Sequence, residues 1–169
     1  MLVLGIDPGT AIMGYGLVEC SGNRLKAIHF GAIRTKAGTP LELRLRQIYE
    51  ELNHIIACYQ PQIIGVEELF FNKNTRTAMS VGQARGVALL AAANADIPLL
   101  EFTPLQVKQA VVGYGKATKE QVTFMVQKIL NLSEKPGPDD VADALAIAIC
   151  STHAYHLTTK IGLLEGLNR

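Results

Sequence analysis

The sequence predicts a single α/β domain: a mixed five-stranded sheet, three antiparallel strands followed by parallel neighbours, flanked by helices. Three observations carry that prediction. The first 35 residues hold three strand-like apolar runs with only short turns between them, whereas from Pro40 onward strands and helical patterns alternate. With 169 residues, 49% hydrophobic and 18% charged, the chain can bury one proper core but not two. Prolines and glycines are scattered, so no linker, repeat or low-complexity tract divides it.

Leu2 to Asp7 is a nearly continuous apolar run, the pattern of a strand buried on both faces. Ile12 to Glu19 and Leu25 to Thr35 are strand-like and are joined by the turn Ser21-Gly22-Asn23. From Pro40 to Tyr59, Leu41, Leu45, Ile48, Leu52, Ile55 and Ile56 recur at helical spacing, with Glu42, Arg44, Arg46 and Glu50 on the other face. Ile63 to Glu67 returns to a strand, Thr75 to Ala95 is a long helix, and Ile97 to Phe102 a short strand. Thr103-Pro104 opens a short helix, since Thr caps free N–H groups and Pro suits a first turn. Thr118 and Gln121 have capping-box spacing for a helix to about Leu132. Asp139 or a neighbour caps a last helix running to about Tyr155, and 157–169 reads as a tail, loosely ordered at most.

Composition excludes several classes. Asp7 interrupts the N-terminal apolar run too early for a signal peptide, and no apolar stretch reaches the roughly 20 residues that span a bilayer. The expectation is an unsecreted chain. Cys20, Cys58 and Cys150 are odd in number and widely spaced in apolar surroundings, which suits buried thiols better than a disulfide framework. His29, His54, His153 and His156 show no metal-ligand spacing. A net charge of +1 leaves nucleic acid neither indicated nor excluded, because carboxylates gathered at a metal site cancel lysines and arginines that face phosphates.

The chemistry lies in the acids. Asp7 and Glu67 each close an apolar strand, and in open α/β sheets the ligand crevice lies outside the carboxyl ends of parallel strands. Residues 141–150 are apolar on every side except at Asp143. A helix hydrophobic all round is buried, and a buried carboxylate is costly unless it is paired or holds a metal. Asp139 and Asp140 both lie within a turn of Asp143; acids in a first turn also serve the helix dipole, and spacing alone does not choose between them as its partner. Oxygen donors without a His or Cys cluster favour magnesium or manganese over zinc. Such ions activate water and stabilise a leaving oxygen at phosphorus, so the acids suit phosphodiester hydrolysis.

The runs Gly5-Ile6-Asp7-Pro8-Gly9-Thr10, Val66-Glu67-Glu68, Gly82-Gln83-Ala84-Arg85-Gly86 and Asp140-Val141-Ala142-Asp143-Ala144-Leu145-Ala146 together resemble the RuvC family of bacterial Holliday junction resolvases. Val107-Lys108-Gln109-Ala110-Val111-Val112-Gly113, followed by Lys119, resembles it too. The matches keep their order from the first strand to the last helix, which makes the set specific where each run alone is weak.

The resemblance implies a ribonuclease H-like nuclease domain over 1–156 and a homodimer that nicks a four-way DNA junction symmetrically, leaving 5′-phosphate and 3′-hydroxyl ends. It implies Asp7, Glu67, Asp140 and Asp143 as catalytic acids holding two Mg2+ ions, with Mn2+ as a substitute, and thereby selects Asp140 over Asp139. Lys119 is implied beside the scissile phosphate, Lys108 on the DNA backbone or supporting the site, and Phe70 stacked on unpaired bases at the crossover. Glu68 receives no role. The polar, basic stretch 72–76 supplies Lys73 and Arg76 as phosphate contacts, or is only a solvated loop before a helix. A cytoplasmic place at the bacterial nucleoid, beside the branch-migration helicase complex of RuvA and RuvB, is implied as well.

The small residues Gly82, Ala84, Gly86, Ala88 and 91–93 on the long helix leave room for another backbone, either the sheet's own or that of a second subunit. Three other functions are weighed. A sugar kinase or actin-like ATPase shares the Asp-x-Gly-Thr turn but needs a second phosphate loop, for which the chain has no room. A silent junction-binding module has no use for four acids. The same chemistry on structured RNA or other branched DNA is excluded by resemblance alone.

Overall fold

The structure is a computed structural model; it describes the backbone of residues 1–68 and 75–166 and the side chains of 1–68 and 78–155. Phe70 and Lys73, and the side chain of Arg76, lie outside the described residues.

Strands β1 (Leu2–Asp7), β2 (Ile12–Ser21) and β3 (Arg24–Arg34) form an antiparallel meander, with Gly22 at a φ of 60° in the β2–β3 turn. That left-handed conformation is cheap for glycine and costly for residues with a Cβ. β4 (Ile63–Glu67) and β5 (Leu99–Phe102) add in parallel on the other side of β1, giving the order β3-β2-β1-β4-β5. The expected mixed sheet is therefore present, with β1 near its middle.

Helices cover both faces. α1 (Leu41–Tyr59) and α2 (Thr75–Asn94) pack on one face, where Ile48, Leu52, Ala84 and Ala88 close over Leu4, Ile6 and Ile64. On the other, α5 (Asp139–Gly166) lies along the sheet, with α3 (Pro104–Val112) and α4 (Lys119–Ile129) beside it. Thr103 and Thr118 each cap their helix in a complete capping box. The backbone of α5 continues past the Tyr155 stop read from the sequence and includes most of the segment 157–169.

Glycines permit the close approach of α5. Gly5 pairs with Gly16 on β2 and with Gly65 on β4, so one row of three glycines crosses the sheet. A Cβ on Gly5 would run into the Ala144 carbonyl and the Ala148 nitrogen; on Gly65 it would meet Ser151, and on Gly16 Leu145. Mid-strand glycine usually marks such a close backbone approach. Helix residues 141, 142 and 144–150 are buried as a result, Cys150 among them. Cys20 is buried too, but Cys58 is exposed, because it falls on the solvent face of α1, where its sulfur lies 3.5 Å from His54 Nε2.

Candidate active site

Asp7 and Glu67 are the last residues of adjacent parallel strands, one register step beyond the pair Ile6–Val66. Side chains alternate faces along a strand, and Gly5 and Gly65, two residues earlier, both abut α5. Both acids therefore project on the α5 side. Asp7 is also the register partner of Gly14, where a Cβ would strike the Asp140 carbonyl, so the first turn of α5 sits over the carboxyl end of β1. That turn carries Asp139 and Asp140, and Asp143 follows one turn later.

The acids are near enough for Asp143 to act on the ionisation of both strand acids. Burial pushes the Asp7 carboxyl up to about 8, and the charges of Asp143, Glu67 and Asp140 push it the same way, against the pull of Lys119. Burial and the charge of Asp143 raise Glu67 to about 7, opposed by Lys119 and Lys108. Asp143 is also raised, chiefly by burial, although Lys119 works against the shift. Like charges crowded in a partly desolvated place hold protons tightly unless a cation relieves them.

Lys119, the first residue of α4, is the positive group in place. Its Nζ lies 3.0 Å from Asp143 Oδ2 and 3.7 Å from Asp139 Oδ2. Burial works to lower its pKa, yet the hydrogen bond and charge of Asp143, with the charges of Asp139 and Asp7, prevail and raise it. Glu67, Lys108, Lys119 and Asp143 line one pocket of about 190 Å3, over a floor of Pro104, Val107, Val122 and Ile147. A larger recess of about 440 Å3, between α1 and the β2–β3 hairpin, contains none of the clustered acids.

The donor set suits a hard divalent cation: carboxylate oxygens, strained by mutual repulsion, with no His or Cys among them. As the side chains stand, no group of three or more acidic, His or Cys residues among the described residues converges closely enough to hold an ion. Asp143 pairs with Lys119 at 3.0 Å.

Sequence reasoning missed the support beneath this cluster. Thr10, in the turn after Asp7, is buried and its hydroxyl lies 2.6 Å from Ser80 Oγ on α2. Its carbonyl accepts a hydrogen bond from Thr35, whose own hydroxyl accepts one from Arg44 Nε at 2.7 Å. Arg85, also on α2, donates to the Glu67 carbonyl at 3.3 Å and pairs with Glu101 on β5. Thr10 and Arg85 fell within runs that carried the family resemblance but received no role there, and nothing in the spacing tied Ser80, Thr35 or Arg44 to the site.

Comparison with known proteins matches residues 3–151 to the model of one family, crossover junction endodeoxyribonuclease RuvC. A curated relative of that name from Desulforamulus reducens is 63% identical over 98% of this chain and 100% of its own length. The one from Pelotomaculum thermopropionicum is 58% identical over 96% of this chain and 99% of its own. Among solved structures, Thermus thermophilus RuvC in complex with a Holliday junction substrate superposes with a TM-score of 0.89 at 37% identity, covering 94% of this chain and 97% of that one.

Proposed function

This chain belongs to the RuvC family of crossover junction endodeoxyribonucleases, and from that membership we propose that it resolves Holliday junctions with the carboxylates of its sheet-end cleft. It is a nuclease of DNA recombination and repair, on the ribonuclease H-like fold of that family. The observation that carries the site assignment is the placement of Asp7 and Glu67, the last residues of adjacent parallel strands, beside the first turns of α5, where the charge of Asp143 raises both strand acids.

Asp7, Glu67, Asp140 and Asp143 are read as the residues that hold divalent cations, Mg2+ with Mn2+ as a substitute, two to each site. Bound there, the ions supply the charge that activates water and stabilises the leaving oxygen. The water oxygen bonds to phosphorus as the bond to the 3′-oxygen breaks, so the products carry 5′-phosphate and 3′-hydroxyl ends. Lys119, 3.0 Å from Asp143, is read as the ammonium that meets the scissile phosphate. Lys108 enters the same pocket from α3 and is read as a backbone contact. Phe70, Lys73 and Arg76 remain assigned to DNA on resemblance alone.

A homodimer suits a two-fold symmetric substrate. Of the small residues on α2, Ala84, Ala88, Ala91 and Ala92 are buried against the sheet and offer no face to a second subunit; the exposed face of Met79, Gln83, Gly86 and Leu90, with open space around Gly86, supports the dimer instead. The four-way junction, a second copy of this chain and the branch-migration complex of RuvA and RuvB are the partners that this reading assigns. The setting is the bacterial cytoplasm at the nucleoid; among the described residues no helix is long and apolar enough to cross a membrane.

The deciding experiment incubates labelled four-way junctions and linear duplex with the protein across divalent metals, beside Asp143→Asn. Paired nicks confined to junctions, dependent on Mg2+ or Mn2+ and abolished by Asp143→Asn while junction binding survives, are expected. Wild-type nicking by Asp143→Asn would move that residue to a structural role, and equal cutting of linear duplex would remove the junction assignment.

A further inference from the structure

The motif around Arg85 was prominent in the sequence yet has no part in the cleft chemistry. Its side chain is 19% exposed and reaches across the carboxyl ends of two strands. Its guanidinium pairs with Glu101, the β5 residue in register with Val66, while its Nε donates to the Glu67 carbonyl at 3.3 Å. The next group along the chain, the Glu68 N–H, donates to the Phe102 carbonyl at 2.8 Å. The peptide unit joining Glu67 to Glu68 is thus held at both polar ends, one by the sheet and one by Arg85.

That peptide plane adjoins the Glu67 Cα and helps set the direction of its Cα–Cβ bond. An exposed ion pair alone contributes little, and Glu101 is 41% exposed. The bond to the carbonyl is what distinguishes Arg85 from a surface arginine, because it acts on one acid of the cleft. We propose that Arg85 is a positioning residue that holds Glu67 in its ion-binding orientation; this rests on the reading of Glu67 as an ion-holding acid.

Groups behind a metal ligand typically contribute about 10- to 100-fold in affinity or activity, and Arg85→Ala is expected to lower kcat on a four-way junction within that range. Junction affinity and Tm should stay close to wild type. Two further readouts separate positioning from general support: calorimetric Mg2+ binding without DNA should weaken, and amide exchange at Glu68 should quicken. Arg85→Lys, which keeps a donor in place, should restore part of each, and it carries the test if Arg85→Ala fails to fold.

Wild-type kcat and Mg2+ affinity in Arg85→Ala, beside an inactive Glu67→Gln, would overturn the proposal and leave the reading of Glu67 standing. Loss of junction affinity at unchanged kcat would overturn it in favour of a phosphate contact. An active Glu67→Gln would remove the premise itself.

Discussion

Asp7 is the residue whose ionisation the fold opposes most visibly. In the unfolded chain its carboxyl ionises near 3.8, and in the native protein near 8. Between those values the native state holds a proton that the unfolded state has lost, so this group's contribution to stability falls as pH rises and is gone above about 8. Asp7→Asn carries no such loss. With chelator present, its Tm relative to wild type should climb steadily from pH 4 to pH 8, ending higher by several degrees. Added Mg2+ should close that gap by stabilising wild type and not the variant; a pH-independent difference in Tm would refute the account. Asp7 and Glu67 were legible because an acid that ends an apolar strand stands out. The contacts of Arg85, Ser80 and Thr10 were not, since their partners lie in other elements and no local pattern records a contact made across the fold.

Among the elements, α5 determines whether the four acids meet. Its approach to the sheet depends on strand positions that lack a Cβ, and two substitutions separate the consequences. Gly5→Ala drives a methyl into backbone atoms of Ala144 and Ala148 that cannot rotate away, and overpacking of this kind costs about 1 to 3 kcal/mol. A Tm lower by several degrees should follow, read by thermal unfolding. Gly14→Ala meets the Asp140 carbonyl at the mouth of the cleft, so cleavage should fall more than its Tm accounts for. Cleavage that merely tracks stability in both variants would show that α5 adjusts freely. The sequence marked α5 well, because Asp143 is the one acid in an otherwise apolar helix core. Its distance from the sheet was not readable: the glycines that admit it lie on β1, β2 and β4, and no pattern within α5 records them.

At the scale of the whole molecule, α2 has two sides with different tasks. Inward, Ser80 and Arg85 hold the turn after Asp7 and the end of β4; outward, Met79 and Leu90 are 67% and 53% exposed on the proposed dimer face. Leu90→Glu places a charge where two copies would meet. It should yield a folded monomer by light scattering, with paired junction resolution lost. A dimer of wild-type mass would move the interface elsewhere.

The order of the acids along the chain has a consequence for biosynthesis. Asp7 and Glu67 leave the ribosome long before Asp140 and Asp143, and the helix bearing the later pair also packs along one face of the sheet, with α3 and α4 beside it. A chain that stops before Asp139 lacks Asp140, Asp143 and the helix that closes the core together, so on the proposed reading it could neither complete its fold nor hold the ions.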